Sequence, residues 1–103
     1  MSMGGVNAVM STYFELETAL IRRAMGAGVA EADARLYVTS LLSMLAGTAR
    51  ATRPERFGEL VAEHQTKGGL NERVRANLLA AGWFDMPAKA FDEIVGLSWK
   101  KLG

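Results

Sequence analysis

Apolar residues along the first quarter of the chain recur at three- and four-residue intervals. Val6, Val9, Met10, Tyr13, Phe14, Leu16, Leu20, Ile21 and Met25 follow the helical period, which predicts a helix from Val6 to Met25. Gly26 and Gly28 should end it, since glycine enters the left-handed conformation of a helix C-terminus without steric cost. A second helix is predicted from about Glu31 to Arg50. Its apolar positions, among them Leu36, Tyr37, Val38, Leu41, Leu42, Met44 and Leu45, point in nearly every direction around the axis, so it should be covered on several sides. Thr52-Arg53-Pro54-Glu55 is a helix start, with proline at the first helical position and an acid in the first turn. Phe57, Leu60 and Val61 continue that short third helix to about His64. Gln65-Thr66-Lys67-Gly68-Gly69 carries no helical pattern and reads as a loop, with Thr66 and Asn71 as candidate caps. Leu70, Val74, Leu78 and Ala81 then mark a fourth helix closed by Gly82. Asp85-Met86-Pro87 starts a last helix through Phe91, Ile94, Val95, Ser98 and Leu102, and Lys100 and Lys101 suit the negative end of its dipole. No stretch reads as a strand. The expected architecture is a single all-α domain over residues 1–103, a bundle of about five helices.

Composition narrows the function classes. With 103 residues the chain has room for one small core, which buries roughly 65% of the surface of its unfolded chain. Yet 50% of its residues are hydrophobic and only 22% are charged. Lys plus Arg number 12 against 11 Asp plus Glu, so no cationic field favours nucleic acid and no acidic tail is present. The absence of cysteine excludes disulfides, thiol catalysis and cysteine-based metal sites, and fits a cytoplasmic protein. The longest uncharged stretches, Met1 to Phe14 and Leu36 to Ala49, fall short of the roughly 20 apolar residues of a membrane-spanning helix. The N-terminus also lacks the charged start and apolar middle of a secretory signal.

Few groups offer chemistry. His64 is the only histidine and has no cluster of acids around it, so it reads as a surface or capping group, and no metal site is expected. Gly26-Ala27-Gly28 begins a dinucleotide-like pattern, but Glu31 takes the third glycine's place and a helix precedes it in place of a strand; no cofactor site is expected in this chain. The methionines read as core filler, and Trp83 and Phe84 as aromatics that lock the chain beyond a helix end. Arg73 and Arg75 with Lys67 raise a helix-turn-helix possibility, against which no dense basic stripe accompanies them. The constellation that stands out is Thr66-Lys67-Gly68-Gly69-Leu70-Asn71. Two glycines before a helix start allow the amides of Gly69, Leu70 and Asn71 to approach an anion such as a carboxylate, with the positive end of the helix dipole behind them. The plainer alternative is that the two glycines merely turn the chain between helices.

The order of these features resembles a known family. The segment Pro54 to Trp83, with Leu60, Gln65 to Asn71, Leu78 and the pair Gly82-Trp83, is similar to the C-terminal domain of the pyrroline-5-carboxylate reductase family, which carries a Ser-Pro-Gly-Gly-x-Thr loop between two helices. Ser11 to Phe14, Ala24 to Gly28 and Leu41 to Ala49 resemble the two long helices before that loop, so the similarity spans nearly the whole chain. The resemblance implies an oxidoreductase of proline metabolism. An N-terminal Rossmann domain, absent from this chain, would hold NADP or NAD, and the helical domain would form an interleaved homodimer. Hydride would pass to the C=N bond of a cyclic imine bearing a carboxylate, and that carboxylate would rest on the loop. By position, Thr66 falls on the family's serine, Gly68 and Gly69 on its glycine pair, Leu70 on the variable position and Asn71 on its threonine. Lys67 replaces the proline, Asn71 the threonine, and Arg75 a usually apolar residue. No catalytic residue is assigned, and the chain should not transfer hydride alone. Two other readings stay open: a stand-alone homodimeric interaction module, and a dimeric DNA binder using the fourth helix.

Overall fold

The computed structural model describes residues 9–93, and over them the protein is all-α. Five α-helices and one 3-10 turn follow one another with no strand among the described residues. They fall into two compact units that divide between Phe57 and Gly58.

The first unit is a helical hairpin. Helix α1 spans Met10–Gly26 with Val9 as its cap, whose carbonyl accepts the Tyr13 amide at 2.9 Å; the expected start at Val6 lies outside the described residues. Its end follows the predicted glycine logic. Gly28 takes φ +100°, its amide bonds the Met25 carbonyl at 2.9 Å, and the Val29 amide returns to Ala24 at 3.2 Å, so the last carbonyls of the helix are satisfied.

Helix α2 spans Glu31–Arg50. Ala30, in extended conformation, caps it without a side-chain bond, and Glu31 and Asp33 place negative charge on the positive end of the dipole. At the other end the Thr52 hydroxyl donates to the Thr48 carbonyl at 2.7 Å, and Arg50 sits in the last turn. Ala34 and Val38, one turn apart, are buried on α2, which packs against α1; Ile21 and Ala24 on α1 and Leu42 on α2 are half-buried. Ala34 and Val38 are also the only buried residues among those described. The expected cover on several sides of α2 is thus seen on one stripe alone: Leu36 remains 66% exposed, Tyr37 70% and Met44 58%. Arg53 is extended, as a residue before proline should be, and Pro54–Arg56 forms a 3-10 turn.

The second unit begins in helix α3, Phe57–Glu63. The predicted third helix is therefore a 3-10 turn and a seven-residue α-helix in succession. A loop leads to α4, Leu70–Ala80, which ends as predicted at Gly82 with φ +76°. Two bonds close that end: Gly82 amide to Leu79 carbonyl at 3.0 Å and Trp83 amide to Leu78 carbonyl at 3.0 Å. Trp83 and Phe84 then meet edge to face at 5.2 Å between ring centres. Helix α5 occupies residues 86–93 as far as the described residues reach, and the Asp85 carbonyl accepts the Lys89 amide at 3.2 Å, as a capping residue's does. The remaining expected positions, Ile94 to Leu102, lie outside the described residues.

Candidate functional site

The loop residues singled out from the sequence, Thr66, Gly68, Gly69, Leu70 and Asn71, come together at the start of α4. A tight turn forms over residues 66–69, closed by the Gly69 amide on the Thr66 carbonyl at 2.7 Å. Gly68, third in that turn, has φ +74°, which a type II turn requires there. Lys67 occupies the second position, where proline is favoured in such turns. The turn therefore keeps its form without a proline at that position. Gly69 is needed for a different reason: its φ is −82°, but a Cβ would lie 2.9 Å from the Thr66 carbonyl oxygen and 3.2 Å from the Thr66 Cβ. The two glycines serve the turn by separate means, one by conformation and one by space.

Gly69 is also the cap of α4, leaving Asn71 inside the first turn and no side-chain bond from the cap itself. Glu72 takes that part. Its carboxylate accepts the Gly68 amide at 2.9 Å, and it stands in the first turn, where negative charge suits the dipole. Sequence reasoning passed over Glu72, although an acid three residues after a cap is the capping-box position. Of the amides expected to cradle a carboxylate, Gly69 is engaged by Thr66, and the neighbouring Gly68 by Glu72. Those of Leu70 and Asn71 belong to the first turn of α4, whose amides have no intrahelical partner. The loop can present these two to an anion, next to the protein's own carboxylate.

His64 follows α3. Its Nδ1 lies 2.7 Å from the Leu60 carbonyl, and since a carbonyl only accepts, Nδ1 donates and caps the helix end. No group of three or more His, Asp or Glu among the described residues is placed to hold a metal ion. No helix among them is long and apolar enough to cross a membrane.

A second feature lies in the first unit. Asp33, Leu36, Tyr37, Ser40, Leu41 and Met44 line an open groove of about 480 Å³, every one of them on α2. It is a surface of mixed large and small side chains that begins beside the buried stripe, at Leu41, and runs round to Leu36 and Met44. Sequence periodicity showed these apolar positions but could not tell which of them α1 would cover.

No protein-family profile, curated protein or solved structure matches the chain.

Proposed function

We propose that the chain is a homodimerisation domain that carries the substrate loop of a pyrroline-5-carboxylate reductase-like oxidoreductase. In this reading a separate Rossmann domain holds NADP or NAD, and the reaction reduces the C=N bond of a cyclic imino acid in the cytoplasm. The observation that carries the dimer is the deficit of burial: half the chain is hydrophobic, yet only Ala34 and Val38 are buried among the described residues. Phe14 at 62% and Leu70 at 77% exposure support a subunit that a partner covers. The loop supports the second half of the reading. Its Gly68-Gly69 turn leads into the N-terminus of α4, where the amides of Leu70 and Asn71 and the helix dipole suit a carboxylate, and Thr66 and Asn71 add polar side chains.

A non-catalytic homodimeric module is the second reading, favoured by the Glu72 carboxylate already bonded to Gly68. One substitution separates the two in a protein that contains the Rossmann domain. Glu72→Ala removes a negative charge beside the carboxylate cradle, so the substrate reading expects a lower KM for the imino acid with folding retained. An unchanged KM in a folded variant leaves the loop a turn and cap only. Light scattering at micromolar concentration tests the dimer: a folded monomer would overturn it. DNA binding is not part of either reading, because Arg73 and Arg75 lack an accompanying basic stripe.

A further inference from the structure

We infer that a second copy of this chain docks antiparallel on the outer face of α2, through a seam made of Asp33, Tyr37, Ser40, Met44, Gly47 and Ala51. This inference rests on the homodimer reading above and assigns its surface. The seam positions are spaced four, three, four, three and four residues apart, which keeps them on one stripe of a helix and matches the repeat of paired helices. All six are exposed, and they lie on a different side of α2 from Ala34 and Val38, the stripe that packs on α1.

Three observations point to a second copy in antiparallel orientation. The first is Gly47. It stands inside a 20-residue helix where glycine is a poor helix former, and nothing approaches within 4 Å of the place its Cβ would take. Nothing within the chain calls for a missing side chain there, whereas a closely approaching neighbour does. The second is the alternation of size along the seam. When two such seams run antiparallel, Tyr37 meets Gly47 of the other copy, Met44 meets Ser40, and Asp33 meets Ala51, so each layer sets a larger residue against a smaller one. Running parallel, Tyr37 would meet Tyr37 and Gly47 would meet Gly47, which crowds one layer and empties another. The third is charge. Acids stand at the start of α2, at Glu31 and Asp33, and Arg50 at its end, so the antiparallel arrangement sets unlike charges and opposed helix dipoles side by side.

The exposed apolar area is a substantial part of what such a contact needs. Leu36, Tyr37, Leu41 and Met44 expose on the order of 400 Å² of side chain, about half of the ~800 Å² that each partner contributes to a standard interface. The small positions of the seam, with Thr48 and Arg50 at its flanks, are exposed as well and add to it. Because the contact is the same on both copies, the assembly closes at two.

The test uses the whole 103-residue chain, whose lack of cysteine makes disulfide trapping clean. Asp33→Cys and Ala51→Cys chains are prepared separately and mixed under mild oxidation. Antiparallel pairing expects cross-linked dimer in the mixture and little in either variant alone, because residues 33 of two copies lie far apart. Cross-linking of each variant alone would show parallel pairing and overturn the inference. Gly47→Leu is the second arm. A Cβ at position 47 meets nothing within 4 Å and leucine favours helix, so helicity should be retained, while the dimer dissociation constant should rise ~30-fold or more because the change counts on both copies. A wild-type chain that is monomeric sinks the homodimer reading and this one together. A dimer that survives Gly47→Leu and gives no mixed cross-link leaves the homodimer in place and removes α2 as its surface.

Discussion

At the residue scale, the conformations that must be forced among the described residues are concentrated at three glycines with positive φ, Gly28, Gly68 and Gly82. Gly28 and Gly82 were legible as helix ends because each directly follows the last residues of an apolar stripe. The pair Gly68-Gly69 was legible only as a turn, since sequence does not separate a glycine needed for its backbone angle from one needed for its missing Cβ. Gly82→Ala puts an L side chain in the left-handed region and should lower unfolding stability by about 1 kcal/mol, measured as a shift in urea midpoint at constant slope. Glu72 could have been found from its place three residues after Gly69, but Gly69 carries no capping side chain to draw attention to it. Glu72→Gln keeps the side chain's length and loses its charge, so it weakens both the bond to Gly68 and the interaction with the dipole of α4. A loss of about 0.5–1 kcal/mol is expected, and raising the salt concentration should narrow the difference from wild type. A salt-independent difference would assign the effect to geometry alone.

At the scale of the element, α2 carries two stripes with different fates. Its limits, Glu31 to Arg50, could be read from the end of the glycine pair before it and from the proline signal after it. The division of its apolar residues between an inner and an outer face could not, because Leu36, Val38, Leu41 and Leu42 are equally apolar and only the packing of α1 distinguishes them. The two faces should respond differently to truncation. Val38→Ala empties space beside Ala34 in the hairpin and should cost about 2 kcal/mol whatever the protein concentration. Tyr37→Ala removes a ring that is 70% exposed within one chain, so an unpartnered subunit should lose no more than about 0.5 kcal/mol. If the outer face is covered by a second copy, the same substitution lowers stability by well over that amount, and the loss appears as weaker association. Chemical denaturation of both variants across a range of protein concentrations separates these outcomes.

At the scale of the whole molecule, the governing fact is that a chain half hydrophobic buries two residues, Ala34 and Val38, among those described. A domain of about this size ordinarily removes roughly two thirds of its unfolded surface from water, and that removal is the main term opposing the conformational entropy of the chain. A chain that leaves Phe14, Leu36, Tyr37 and Leu70 more than 60% exposed lacks much of that term as a single subunit. Its folded state should therefore depend on association, and mass action turns this into a measurement. When folding and dimerisation are coupled, a tenfold dilution removes about 1.4 kcal/mol per dimer from the folded state. For two chains of 103 residues this corresponds to a fall in Tm of ~3–5 °C per tenfold dilution. Scanning calorimetry or far-ultraviolet dichroism between about 1 and 100 μM reads the slope directly. A Tm that does not move over that range would mean the exposed apolar surface is tolerated by a stable monomer, and the dimer would have to be abandoned. A slope present in wild type and flattened by Gly47→Leu would locate the coupling on the outer face of α2, since position 47 is exposed and a Cβ there meets nothing within 4 Å.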